Sequence, residues 1–154
     1  MSAWLVDTNL ILRSADSDSV HHRDAFDCLH SMAKNGEMIF ISSQTIYETW
    51  VVATRPILRG GLGWSVERAR FVLDSAQKRF LHLPDPADML TEWRRIVETY
   101  HITGYKAHDM RFVAYARLHR IPRILTFNTD DFKAVSSEIT AVHPRDYLAN
   151  PEAF

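Results

Sequence analysis

The 154-residue sequence predicts an α/β fold, a single domain with a central parallel β-sheet flanked by helices on both faces. Three observations lead there. Short apolar runs alternate along the chain with amphipathic stretches of helical period, the pattern of strands covered on both faces by crossover helices. Several of those runs stop at an acid, a hydroxyl or an amide, as core strands do where they open into a site. A 46% hydrophobic content supplies apolar surface for one sizeable core.

The first strand is read at Ala3 to Asp7, and Leu10-Ile11-Leu12 continues apolar before the polar loop Ser14 to Ser19. From His21, the residues Ala25, Phe26, Leu29, Met32 and Ala33 recur at three and four, a helix closed by Asn35-Gly36. Met38 to Ile41 forms a second strand. After Ser42-Ser43, Thr45-x-x-Glu48 has capping-box spacing for a helix to about Thr54, whose apolar content marks it as buried. Gly60 to Gly63 reads as a flexible connection, and Ser65 caps a helix with Val66, Ala69, Leu73 and Ala76 as its stripe. Phe80 to Leu83 is an edge strand. Beyond Pro84-Asp85-Pro86, Leu90, Trp93, Val97 and Tyr100 mark another helix, and His108-Asp109 heads the next, through about His119. Strands at Ile124 to Phe127 and Ile139 to Val142 follow, the first ending on Asn128 to Phe132. Residues 1–148 make the domain and 149–154 a C-terminal tail.

A formal charge of -1 gives no global positive field for nucleic acid or anionic lipid, so a polyanion needs a local patch or bound cations. Cys28 stands alone, which excludes an internal disulfide framework and a cysteine zinc site. No basic leader or membrane-length apolar segment is found, and the expectation is a soluble, cytoplasmic protein.

The chemistry lies in the acids. Asp7 ends the first strand, Glu48 follows the second, Asp109 heads a late helix, and Asn128 to Asp131 follows a later strand, all at one end of the sheet. Clustered carboxylates raise one another's pKa, so the grouping makes sense around hard divalent cations such as Mg²⁺ or Mn²⁺. A pair of such ions can activate water and stabilise the leaving oxygen of a phosphodiester.

These residues resemble the PIN domain family, and within it the VapC-like toxins of type II toxin-antitoxin pairs. The resemblance runs through Leu5-Val6-Asp7-Thr8-Asn9, Ser43-x-x-x-x-Glu48, His108-Asp109 with Phe112-Val113-Ala114, and Leu125-Thr126-Phe127-Asn128 with Asp131-Phe132. It implies a metal-dependent endoribonuclease in which Asp7, Glu48 and Asp109 hold Mg²⁺, with Mn²⁺ able to substitute. Thr8, Asn9 and Thr126 resemble the family's supporting residues. Asn128 stands where many relatives carry a fourth acid, and Asp130 or Asp131 could compensate, Asp131 being favoured because it precedes Phe132. The resemblance also implies a homodimer, an antitoxin partner and an RNA substrate. Arg13, Arg55 and Arg59 are candidate RNA contacts.

Each residue has a plainer role to be weighed. Asp7 could make an Asx-turn, Glu48 could complete the capping box with Thr45, and Asp109 suits a helix N-terminus by dipole. The arginines suit solvated helix faces, His21-His22 reads as surface, and Trp50 and Trp93 read as core. A haloacid-dehalogenase-like phosphatase would want an acid where Asn9 stands, and a phospho-receiver lacks its paired acids. A catalytically weakened PIN-like RNA- or protein-binding module remains as the rival, because Asn128 brings no charge.

Overall fold

Alternation along β1 (Ala3–Val6) decides the layering, because successive side chains leave a strand on opposite faces. Trp4 and Val6 enter one core, and Leu5 enters the other. In the computed structural model, which describes residues 2–154, β1 sits at the centre of a five-stranded parallel sheet. Its companions are β2 (Met38–Ile41), β3 (Leu81–His82), β4 (Arg123–Leu125) and β5 (Thr140–Val142), in the order β3-β2-β1-β4-β5. Leu5 pairs with Phe40 on one side and with Ile124 on the other, and all three belong to the same core.

Seven α-helices cover the sheet. On the Trp4 face, α1 (Thr8–Ala15), α2 (His22–Lys34) and α7 (Pro144–Ala149) bury Leu10, Leu29, Met32 and Tyr147. On the Leu5 face, α5 (Met89–Thr99) packs on α6 (Lys106–Leu118), burying Ile96 and the run Phe112 to Ala116. Packed on α1 is α3 (Ser43–Thr54), which carries α4 (Val66–Arg79) in turn, around Leu12, Ala53 and Ala69. Among the described residues, no helix is long and apolar enough to cross a membrane.

Several expectations are corrected. Leu10-Ile11-Leu12 belongs to α1, which starts as soon as β1 ends, and β4 stops at Leu125 rather than Phe127. The capping box is Ser42 with Thr45, because α3 begins three residues earlier than expected: Ser42 Oγ accepts from Thr45 N–H and Thr45 Oγ1 accepts from Ser42 N–H, both at 3.2 Å. Glu48 takes no part in that cap. Nor is α3 buried, since Tyr47 is 67% and Val51 53% exposed. The Gly60 to Gly63 connection is pinned: Leu62, Gly63 and Trp64 N–H donate to Val52, Arg55 and Ala53 carbonyls, and a side chain on Gly61 would collide with the Arg55 carbonyl.

Residues 144–149 form α7, and in the expected tail, residues 149–154, the side chain of Phe154 packs against the core. His143 caps α7, whose Tyr147 is fully buried against α2 and takes a hydrogen bond from Asn35 Nδ2 at 3.1 Å. A last 3₁₀ turn, Pro151–Ala153, brings Phe154 edge-on to Trp4, with ring centroids 5.8 Å apart. Aromatic truncation in such a site costs about 3–5 kcal/mol. Tyr147→Ala is accordingly expected to lower unfolding free energy by about that amount in urea denaturation, whereas a change of only a few tenths would show that α7 is peripheral.

Candidate active site

Strand order reverses between β1 and β4, whose onward connections lead to opposite sides of the sheet. Parallel sheets open a crevice at that point, beyond the carboxyl ends of the strands. Here it is a cleft of about 390 Å³ whose lining includes Asp7, Glu48, Asp109, Asn128, Asp131 and Arg13. Four segments far apart in sequence thus deliver their acids to one space.

Each acid has its own support. Asp7 is the residue between β1 and α1, and its N–H donates to the Leu125 carbonyl at 3.0 Å, which fixes it beside β4. Its Oδ2 accepts from Thr126 Oγ1 at 2.7 Å and from Asn9 Nδ2 at 3.0 Å. The Thr126 hydroxyl in turn accepts from Asn128 N–H at 3.0 Å, so Asp7 and Asn128 are tied through one side chain. Glu48 projects from α3 with both oxygens engaged, Oε2 by Thr8 Oγ1 at 2.9 Å and Oε1 by Gln44 Nε2 at 2.7 Å. Asp109 lies in the first turn of α6, where the helix dipole favours an acid. Asp131 lines the cleft with Asn128, while the exposed Asp130 pairs with Lys133 at 2.7 Å. Of the two candidates beside Asn128, the cleft therefore contains Asp131.

The arrangement strains ionisation. Burial, reinforced by the charges of Glu48 and Asp131, pushes the Asp7 carboxyl up to about 6, although hydrogen bonds from Thr126 and Thr8 oppose the rise. Asp109 is pushed to about 6 as well, by burial and then by Asp7, Asp131 and Glu48. These are oxygen donors of the kind that hard divalent cations take. Among the described residues, however, no three carboxylate, imidazole or thiol groups are gathered tightly enough to hold an ion as they stand. Asp7 and Glu48 are held by the hydrogen bonds above, and Asp109 and Asp131 accept none.

Sequence reasoning missed Gln44. Its buried amide donates to Glu48 and, at 2.9 Å, to the carbonyl of His108, just before Asp109. The reversed amide would set its oxygen against a carboxylate and a carbonyl, so the two partners fix its orientation. Gln44 thereby ties α3 to α6 across the sheet edge. A signal existed in the four-residue spacing of Gln44 and Glu48 on a helix with little else polar. Arg55 and Arg59 do not line the cleft; Arg55 donates to the Gly60 carbonyl at 3.3 Å, and Arg59 lies in the exposed turn Ile57–Arg59. His21 and His22 are half-buried rather than surface groups, the latter bonded through Nδ1 to the Arg13 carbonyl at 2.9 Å.

Comparison with known proteins bears on this site. The PIN domain model matches residues 4–138. The VapBC2 structure from Rickettsia felis, bound to a DNA fragment from their promoter, aligns with TM-score 0.68 and 19% identity over 92% of this chain and 98% of that one. Mycobacterium tuberculosis VapC20, described as a sarcin-ricin loop cleaving toxin, aligns with TM-score 0.66 and 16% identity over 90% and 98%. A toxin-antitoxin complex from Klebsiella pneumoniae gives TM-score 0.60 and 24% identity over 91% and 96%. No curated protein matches the chain by sequence.

The raised carboxyls predict an unusual pH dependence. Asp7 and Asp109 titrate at 3.8 when unfolded and at about 6 when folded, so between those values the folded chain binds more protons. Their contribution to stability therefore falls as pH rises through 6. Glu92 and Glu138, held below their ordinary 4.5 chiefly by arginine partners, act oppositely but only at lower pH. In EDTA, melting temperature is expected to rise as pH falls from about 7 to about 5. Asp7→Asn should flatten that rise and stabilise the neutral-pH protein by about 1–2 kcal/mol. A melting temperature that falls over this interval would contradict the assignment.

Proposed function

The chain belongs to the PIN domain family, and from that premise we propose that it is a Mg²⁺- or Mn²⁺-dependent endoribonuclease, the toxin of a toxin-antitoxin pair. The observation that carries the reading is the convergence of Asp7, Glu48, Asp109 and Asp131 on one cleft, with Asp7 and Asp109 resisting ionisation there. A cation relieves that resistance, because it adds opposite charge where like charges meet.

Asp7, Glu48 and Asp109 would hold the metal, with Asn128 and Asp131 completing the site. When bound, the ion would supply an activated water and neutralise charge on the scissile phosphate. The chain's own residues set the geometry. Thr126 and Asn9 orient Asp7, and Thr8 and Gln44 orient Glu48. Asn128, without charge, offers a carbonyl oxygen in place of a carboxylate, which weakens a second metal relative to the first. Of the three candidate arginines, Arg13 is the one in the cleft, and the proposed RNA contact moves to it. The second reading, a PIN-like binding module of reduced activity, draws on the same Asn128.

An antitoxin partner is proposed by likeness to structures described as VapBC2 and as a toxin-antitoxin complex, and a homodimer from the family resemblance. The apolar side chains that α3 leaves in solvent, Tyr47 and Val51, would suit such contacts.

Isothermal titration of Mn²⁺ and cleavage of a mixed RNA pool with and without EDTA test the proposal together. Wild type is expected to bind Mn²⁺ and cut RNA in an EDTA-sensitive way, and Asp7→Asn to lose both while staying folded. Gln44→Met is expected to weaken Mn²⁺ binding about 10- to 100-fold, as loss of a group orienting a ligand does. Folded wild type that neither binds Mn²⁺ nor cuts RNA would favour the binding module.

A further inference from the structure

We propose a second binding site beside the acids, a cationic shelf of Arg13, His21 and His143 around Phe127, which takes a phosphate of the RNA strand next to the one being cut. The inference rests on the nuclease reading above and deepens it.

Phe127 follows β4, between the buried Thr126, which holds Asp7, and the cleft residue Asn128. Around its ring, three cationic or cation-forming groups gather from separate elements. The Arg13 guanidinium, on α1, lies 4.5 Å from the ring centroid. The imidazole of His21, at the start of α2, packs at 5.1 Å, and that of His143, which caps α7, at 5.2 Å edge-on. Arg13 also lines the acid cleft, so shelf and cleft are continuous through one side chain.

Arg13 is one of several arginines that pair with no acid, and its place in the acidic cleft sets it apart from the others. Arg23, Arg94, Arg95, Arg117 and Arg145 each lie against a carboxylate. Among the described residues, Arg13 makes no ion pair and donates no hydrogen bond, although the cleft it lines holds five acids. The Phe127 ring holds the guanidinium by a cation–π contact, which leaves the donors of its planar fork for a ligand. Such a fork matches the two oxygens of a phosphodiester.

Arg13 is the fixed charge of the shelf, and the two imidazoles add hydrogen-bonding groups. Asp24 is paired with Arg145 at 2.6 Å, whereas Asp16, which also lines the cleft, keeps its charge and accepts from the Asp18 N–H at 3.2 Å. Burial, followed by the charge of Arg13, holds the His21 pKa below its ordinary value, with Arg145 and His143 adding to the shift and Asp24 opposing it. His143 Nδ1 accepts from Arg145 N–H at 3.1 Å, so the neutral ring carries its proton on Nε2 and remains a donor without being charged. A polyanion crossing the acidic cleft needs such a counterweight, because phosphates beside Asp7 and Asp109 are otherwise repelled.

A purely structural role, with the three groups merely closing the sheet over Phe127, makes a different forecast. Fluorescence anisotropy of a short labelled single-stranded RNA, titrated in EDTA at several salt concentrations, separates the two. Arg13→Met keeps an apolar side chain over the ring and removes the charge. It is expected to weaken binding about tenfold and to reduce the slope of log affinity against log salt by about 0.7, one phosphate contact on a single strand. Arg13→Met with His143→Ala should weaken binding further. Arg94→Ala, an equal charge change on exposed α5, should alter neither affinity nor slope. Wild-type affinity and slope in the single and double variants, each shown folded by its melting curve, would overturn the proposal, as would absence of wild-type binding. Because EDTA excludes metal-dependent cleavage, this result stands apart from the nuclease assignment, which is judged by whether wild type cuts RNA with Mn²⁺.

Discussion

Like charge gathered on one edge of a parallel sheet is the constraint that organises this molecule. Five carboxylates line one cleft, among them Asp7, Glu48, Asp109 and Asp131 from four separate segments, and Asp7 and Asp109 resist ionisation as a result. Left to electrostatics alone, such an edge would splay apart or protonate. It is held by neutral hydrogen-bond donors, and the donors are economical. Thr126 links Asp7 to Asn128, Thr8 links α1 to Glu48, and Gln44 links Glu48 to the backbone that leads into Asp109.

Neutral donors suit this task better than cations would. A lysine or arginine paired with Asp7 would lower its pKa but would also occupy the charge that a metal or substrate must meet. Hydroxyls and amides fix the direction of a carboxylate while leaving its charge uncompensated. The layering serves the same end. Because β1 is central and both its faces are buried, Asp7 cannot relax away from the cleft without disturbing two cores at once.

The fold class and the acids were legible in the sequence because both depend on strand ends. An apolar run that stops at Asp7, or at Thr126-Phe127-Asn128, marks a strand and its site in the same few letters. Contacts made by side chains across elements were much less legible. Gln44 has a visible spacing to Glu48, but its reach to His108 depends on how α3 and α6 meet. The capping role assigned to Thr45 and Glu48 failed because Ser42, three residues earlier, takes the Thr45 N–H and starts the helix there, a local contest that spacing cannot decide. The packing of Phe154, in the expected tail, was hidden for a different reason: it and Tyr147 look like scattered aromatics until Trp4, near the other end of the chain, is set against both.

Net charge was the least informative property of all. At -1 the whole chain is almost neutral, yet one cleft gathers five acids on one side and the Arg13 guanidinium, held over Phe127, on the other. The division is stable because the two parts are insulated by chemistry rather than distance: Arg13 is drawn onto the Phe127 ring instead of onto the acids beside it. Cation–π attraction of about 0.5–1 kcal/mol at an accessible site is comparable to what an exposed ion pair returns. Phe127 can therefore compete for the guanidinium on equal terms, and the acids keep the negative field that a divalent cation would answer.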